Sequence, residues 1–283
     1  MQSISKHFTI GEIDAVAVTD GTFSYPTPWL FSNVAQDQLQ DRLRERGLPT
    51  AHVESPYTCL LLRTAQHKVL IDTGADGLAP TTGNLLTNLA SEGVSPEEIT
   101  DVVLTHAHPD HIGGVLDGDG RPAFPNARYT MSKTEWDFWT DPSALHDVAM
   151  DDHMKQLLVG VAHKNLPPLK SRIELFEGEK EIATGVRAIP APGHTPGHIA
   201  LQITSGKAQL LHIVDSVLHP LAMEHPGWRN VFDLDPEQAA TTRARLFDRA
   251  AADGATAVAY HFPFPGMGTV KRHGAAYRWE SAA

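Results

Sequence analysis

The stretch Asp101–Gly114, DVVLTHAHPDHIGG, constrains the fold more tightly than any other part of the chain. A short apolar run, long enough for a strand, breaks off into three histidines and an aspartate within six residues, followed by two glycines. A strand that ends this way delivers its polar side chains to a loop at the edge of a sheet. Gly113 and Gly114 let another backbone come close there. His106 and His108 are two residues apart and point the same way in extended chain. Asp110 and His111 follow where the chain bends towards a helix. Imidazole nitrogen and carboxylate oxygen are the donors that borderline divalent metals prefer.

The rest of the sequence supplies sheets for such an edge. One strand-rich block holds FTIGEIDAVAVTDG, TCLLLRT, KVLIDTG and DVVLTH. A second holds RIELFEG, VRAIPAPG, IALQIT, AQLLHIVDS and AVAYHFPF. Each run is short and apolar or alternating, and ends in Gly, Asp, Pro or Ser. Helix starts lie between them. Ser95-Pro-Glu-Glu98 and Ser132-Lys-Thr-Glu135 have capping-box spacing, and Asp235-Pro236 opens a helix with Leu246 and Ala250 on one face and Gly254 as its stop. Asn84–Glu92 predicts a shorter helix with Leu85, Leu86 and Leu89 inward. Strands alternating with helices in both halves predict an α/β sandwich covered by helices, as one domain over residues 1–283. Residues 26–56 stand apart: Trp29, Leu30 and Phe31 sit beside prolines without a strand pattern, which suggests a lid or a subunit contact.

Three further polar residues wait at the ends of apolar strands. His194 lies in APGHTPGH, Asp215 closes LLHIVD, and His261 follows AVAY. Open α/β architectures commonly place their sites at such exits. With the first cluster this makes five histidines and two carboxylates, too many for one tetrahedral zinc and about right for two metals.

The order HxHxDH, then the GHTPGH histidine, an aspartate and a final histidine, resembles the metallo-β-lactamase superfamily, from Phe8 to about Val270. VLIDTG matches that family's early aspartate motif. The resemblance implies a four-layer αββα sandwich. It implies one metal on His106, His108 and His194, a second on Asp110, His111 and His261, and Asp215 bridging the two. Asp72 would orient a ligand through its ring N–H, and His198 would orient the loop rather than ligate. Two divalent ions about 3.5–4 Å apart share a water and lower its pKa to about 7; zinc leads, with Mn, Fe and Co accepting the same donors. Asp110 would then pass a proton to the leaving group.

The spacing from His111 to His194 and the segment HFPFPG resemble methyl parathion hydrolase and its lactonase-like relatives, which implies a lactonase or arylesterase with phosphotriesterase side activity, and a homodimer. Leu218, His219, Phe262 and Phe264 are candidates for an apolar substrate pocket. Better-known homoserine lactonases carry a tyrosine three residues after the bridging aspartate; Leu218 stands there instead. A non-hydrolytic signal-binding protein and a mononuclear-iron, persulfide dioxygenase-like enzyme are the alternatives.

A formal net charge of −11 argues against a nucleic-acid partner, and no apolar run is long enough for a bilayer. The single cysteine, Cys59, excludes an internal disulfide framework and reads as a small core residue. MQSISKHFTIGEIDAVAVTDG has no basic stretch followed by an apolar run; a cytoplasmic protein is expected.

Overall fold

In the computed structural model, which describes residues 3–282, the strands form two seven-stranded sheets. RIELFEG, expected in the second block, instead closes the first sheet by pairing parallel with the strand Arg128–Ser132. The first runs in sequence order through β1 (Ser5–Ile10), β2 (Ile13–Pro26), β3 (His52–Arg63), β4 (Lys68–Ile71), β5 (Asp101–Val103), β6 (Arg128–Ser132) and β7 (Ile173–Phe176). The second runs through β8 (Lys180–Ala183), β9 (Val186–Pro190), β10 (Ile199–Ser205), β11 (Ala208–His212), β12 (Thr256–Val258), β13 (Met267–His273) and β14 (Ala276–Ser281). Strands β4 to β7 are mutually parallel, as are β11 and β12. The loops leaving β4, β5, β11 and β12 therefore emerge where parallel strands end together.

Period-two alternation sorts the apolar side chains into three cores. From β3, Leu60 and Leu62 face the other sheet, where they join Val69 and Ile71 of β4 and Leu201 and Ile203 of β10. Cys59 and Leu61 point the opposite way, under α3 (Leu85–Ser91), α5 (Lys133–Thr140) and α6 (Asp152–Asn165). The outer face of the second sheet packs on α1 (Thr27–Leu30), α2 (Gln36–Glu45), α7 (Pro220–Met223) and α8 (Pro236–Asp253), through Leu30, Leu39, Leu43, Leu221, Leu246 and Phe247. Helix, sheet, sheet and helix make the four-layer αββα sandwich. The remaining helix, α4 (Pro109–Ile112), is a single turn on the loop after β5. No helix among the described residues is long and apolar enough to cross a membrane.

Several local expectations are corrected. Ser95 and Glu98 do form a capping box, but it closes one 3-10 turn, Pro96–Glu98, because β5 begins at Asp101 and leaves no room for a helix. In α3, Leu85 and Leu89 are buried while Leu86 is exposed; residues four apart share a face and their neighbour does not. The excursion spans 27–51 rather than 26–56, since β2 runs to Pro26, which pairs with His52. Leu30 and Phe31 are 4% and 1% exposed in the chain's own core, so neither is free for a partner.

Candidate metal centre

Seven side chains from four loops converge at one edge of the two sheets. Donor atoms of His106, His108 and His194 lie within 4.8 Å of one another, as do those of Asp110, His111, Asp215 and His261, and all seven residues are buried. The loop after β5 brings four of them, the loop after β9 brings His194, the turn after β11 brings Asp215, and β12 leads to His261. Gly114 sits so close to the loop after β4 that a Cβ would stand 2.3 Å from the Thr73 carbonyl oxygen. Two non-glycine residues here adopt left-handed backbone: Asp72 at φ 61° and the β-branched Val214, next to Asp215, at φ 47°. Such conformations persist where surrounding structure over-determines them.

Proton positions follow from the outer hydrogen bonds. His111 donates Nδ1–H to Asp72 (2.8 Å), whose carboxylate also takes the Thr105 N–H and Oγ–H (2.8 Å each). His194 donates Nδ1–H to Asp233 (3.0 Å), itself paired with Arg243 (3.2 Å). Ser55 gives its own proton to the His261 carbonyl (3.2 Å) and accepts from His261 Nδ1 (3.0 Å). Each of these histidines thus turns a bare Nε2 lone pair inward.

Those lone pairs converge on another acceptor, and His194 Nε2 also meets His108 Nδ1 (3.0 Å). Asp215 Oδ2 lies 3.0 Å from His261 Nε2, 3.3 Å from His111 Nε2, 3.4 Å from His194 Nε2 and 3.8 Å from His106 Nε2. Asp110 Oδ2 lies 3.3 Å from His261 Nε2 and 3.6 Å from His111 Nε2. His106 Nε2, His111 Nε2 and Asp215 Oδ1 are buried without a hydrogen-bond partner. Acceptors facing acceptors, away from water, require positive charge between them, so this donor set fits divalent cations. The titration behaviour agrees. Burial, with neighbouring histidines, drives His106 and His108 well below the ordinary histidine range. Burial pulls His111 down as well, yet Asp215, Asp110 and Asp72 outweigh it and raise it. Asp215 is held well below the carboxylate range despite burial, by His261 and His111.

The centre is the floor of a cleft walled by Phe23, Tyr25, Trp29, Tyr57, Leu78, Met154, Leu157, Leu158, Leu218 and Phe232. Of the expected pocket residues, Leu218 is there and three are not. His219 is buried edge-on to Phe31 (5.5 Å between centroids) and accepts the Leu221 N–H at the start of α7 (3.1 Å). Phe262 packs in the core against Trp279 (4.9 Å). Phe264, which precedes a cis bond to Pro265, lies in a separate groove with Thr22 and Asn88. His198 accepts the Asp215 N–H (3.3 Å) and pairs with the Ala191 carbonyl (2.9 Å), tying the His194 loop to the Asp215 turn.

Sequence reading did not single out Glu135, Asp233, Ser55 or Arg243. Glu135 stood at capping-box spacing from Ser132, yet Ser132 makes no side-chain cap. Fully buried, Glu135 instead accepts from Ala107 N (2.9 Å), Trp139 Nε1 (2.7 Å), Thr195 Oγ1 (2.8 Å) and Gly197 N (2.8 Å). It clamps the loop of His106 and His108 to the loop of His194. Nothing in the local pattern distinguishes it from a cap.

Residues 53–261 match the metallo-beta-lactamase superfamily, and the chain belongs to it. Its fold superposes on that of AidC, a dizinc quorum-quenching lactonase in complex with a product N-hexanoyl-L-homoserine, with a TM-score of 0.93 at 29% identity, over 99% of this chain and 97% of the other. The hydrolase AbOPH of the beta lactamase superfamily gives 0.90 at 28% identity, over 100% and 99%. In sequence, an N-acyl homoserine lactonase of Bacillus thuringiensis is 29% identical over 182 residues, 57% of this chain and 64% of that protein. The match thus spans less than two thirds of that relative's length.

Proposed function

We propose that the chain is a dinuclear metal-dependent hydrolase that opens lactones, with aryl esters and phosphotriesters as further electrophiles for the same centre. The observation that carries this is the facing of bare nitrogen and carboxylate acceptors at the floor of an apolar cleft. His106, His108 and His194 would hold one ion; Asp110, His111 and His261 the other. Asp215, whose Oδ2 lies within 3.8 Å of a ring nitrogen from both sets, would bridge. Zinc suits these donors, and the similar AidC is a dizinc protein.

Bound divalent ions supply Lewis acidity: they polarise the substrate's carbonyl and make water nucleophilic at neutral pH. The chain does the rest. Asp110, at the cleft wall, accepts the proton that the attacking water releases and hands it to the alkoxide formed as the ring C–O bond breaks. Asp72, Asp233 and Ser55 hold three imidazoles in the tautomer that keeps Nε2 bare. Trp29, Met154, Leu157, Leu158 and Phe232 line an apolar wall for an acyl chain, in keeping with the acylated product bound to AidC. Trp29 reaches the cleft from the 27–51 excursion, which gives that segment a lid-like place in the reading.

The test is initial proton release from an N-acyl homoserine lactone, dihydrocoumarin and paraoxon, with metal-loaded and chelator-stripped protein, alongside metal content. Lactone turnover that vanishes on stripping and returns with two ions per chain is the expected result. Binding without turnover, or a single redox iron per chain, would overturn the reading in favour of the binding-protein or dioxygenase alternative.

A further inference from the structure

Among the residues lining the cleft, those outside the two ligand clusters are almost all apolar. Tyr25 and Tyr57 are the exceptions that carry hydroxyls, and they meet each other with Oη atoms 2.9 Å apart. Among the described residues neither hydroxyl makes another hydrogen bond. Two phenols carry two protons, and a mutual bond uses one. The second proton therefore has no acceptor among the described residues, and both phenols line the cleft with Asp110 and His261.

Both rings are fixed before any ligand arrives. Tyr57 stacks on Tyr260 (6.1 Å between centroids) and stands edge-on to His261 (5.6 Å). Tyr25 is edge-on to His261 (6.0 Å) and Phe232 (5.8 Å), and tilted against Phe23 (4.7 Å). The pair borders the Asp110–His111–Asp215–His261 cluster, where an electrophile's oxygen would gather charge.

We infer that the Tyr25–Tyr57 hydroxyl pair is a hydrogen-bond donor to the carbonyl or phosphoryl oxygen of the substrate as that oxygen becomes an oxyanion. The inference rests on the hydrolase reading above. One phenol donates to the other, and the other donates to the substrate; the mutual bond strengthens the outward one. Either ring can take either place. Removing one hydroxyl leaves the other with its proton free for the substrate, and only removing both leaves the oxyanion without this donor.

The experiment compares Y25F, Y57F and Y25F/Y57F, each loaded with metal, after metal content and thermal midpoint have been checked. Replacing a bonded polar pair by two apolar rings of the same shape is close to neutral for stability, whereas each single variant leaves one hydroxyl without its partner and should melt somewhat lower. All three variants should still fold and hold two ions per chain. Each single variant is expected to lose less than about tenfold in kcat and the double variant about a hundredfold or more, with KM moving much less. A double variant that keeps its metals and stays within about threefold of wild type overturns the inference. So does a single variant as slow as the double, which would assign the role to one ring. A second readout needs no turnover: the infrared carbonyl stretch of bound carbonyl-labelled γ-butyrolactam. Part of its downshift should persist in both single variants and disappear in the double; an identical frequency in wild type and double variant also overturns the inference. A wild type that turns over no lactone would sink the hydrolase reading and leave this spectroscopic comparison standing.

Discussion

At Glu135 four donors meet one buried carboxylate, and two of them come from a loop on the other sheet. Burial raises its pKa while the four hydrogen bonds pull the other way, as expected of a carboxylate that serves as a fastening. The variant E135Q puts an NH2 group against backbone N–H donors and leaves at least one of them buried without an acceptor. The expected cost is about 1–3 kcal/mol of stability, with roughly tenfold weaker metal binding at the His106–His108–His194 cluster. Thermal melts and titration against a competing chelator measure the two effects; unchanged chelator competition would reduce Glu135 to a packing residue. The convergent histidines and aspartates were legible in the sequence because HAHPDH and GHTPGH gather several donors within a few residues. Their supports were not. Asp233, Ser55 and Glu135 find partners dozens of residues away, and Val214 takes a left-handed backbone that its side chain disfavours.

Among the elements, α8 was the most legible, because both its ends are chemically marked. The Asp235 side chain accepts the Gln238 N–H, and Gly254 takes the left-handed conformation at φ 58° that stops the helix. The short α7 is started by a residue with no such reputation, His219, whose ring nitrogen accepts the Leu221 N–H. That cap works only while the ring is neutral. Burial pushes the His219 pKa down to about 4 from the ordinary 6.5. As pH falls the unfolded chain takes up the proton first, so the stability due to the neutral ring is full above pH 6.5 and is lost on the way down to 4. At that end the loss reaches about 3 kcal/mol. H219N keeps a capping side chain and removes the titration. Its thermal midpoint should fall less steeply than that of wild type between pH 6.5 and 4; parallel curves would show that the ring's burial carries no such linkage. The elements misjudged from sequence, the 3-10 turn at Pro96 and the strand that resumes at His52, are those whose limits are set by neighbouring strands rather than by their own residues.

At the scale of the whole molecule the sandwich was legible because short apolar or alternating runs ending in turn residues recur through both halves. The boundary between the sheets was not, since RIELFEG reads like its successors yet pairs with β6. Nor was the cleft, since its walls come from β2, α1, β3, the loop after β4, α6, the turn after β11 and the segment before α8, seven places that no local pattern joins. Metal bound only by the folded chain should stabilise all of it by mass action: ions at a thousand times their Kd contribute about 4 kcal/mol, or roughly 10 °C in thermal midpoint for a chain of this size. Stripping with a chelator should lower the midpoint by that order, with lost hydrogen-exchange protection concentrated in the loops after β5, β9 and β11. Uniform loss across both sheets, or none, would count against ions that pin the loops alone. The same architecture sets a schedule for biosynthesis. The first sheet is complete at Phe176, when the emerging chain offers only His106, His108, Asp110 and His111. Each half-site is still incomplete: one lacks His194, and the other lacks Asp215 and His261. Only when His261 has left the ribosome can the newborn chain close both half-sites, so a nascent protein has little hold on metal before the second sheet has emerged as far as the loop after β12.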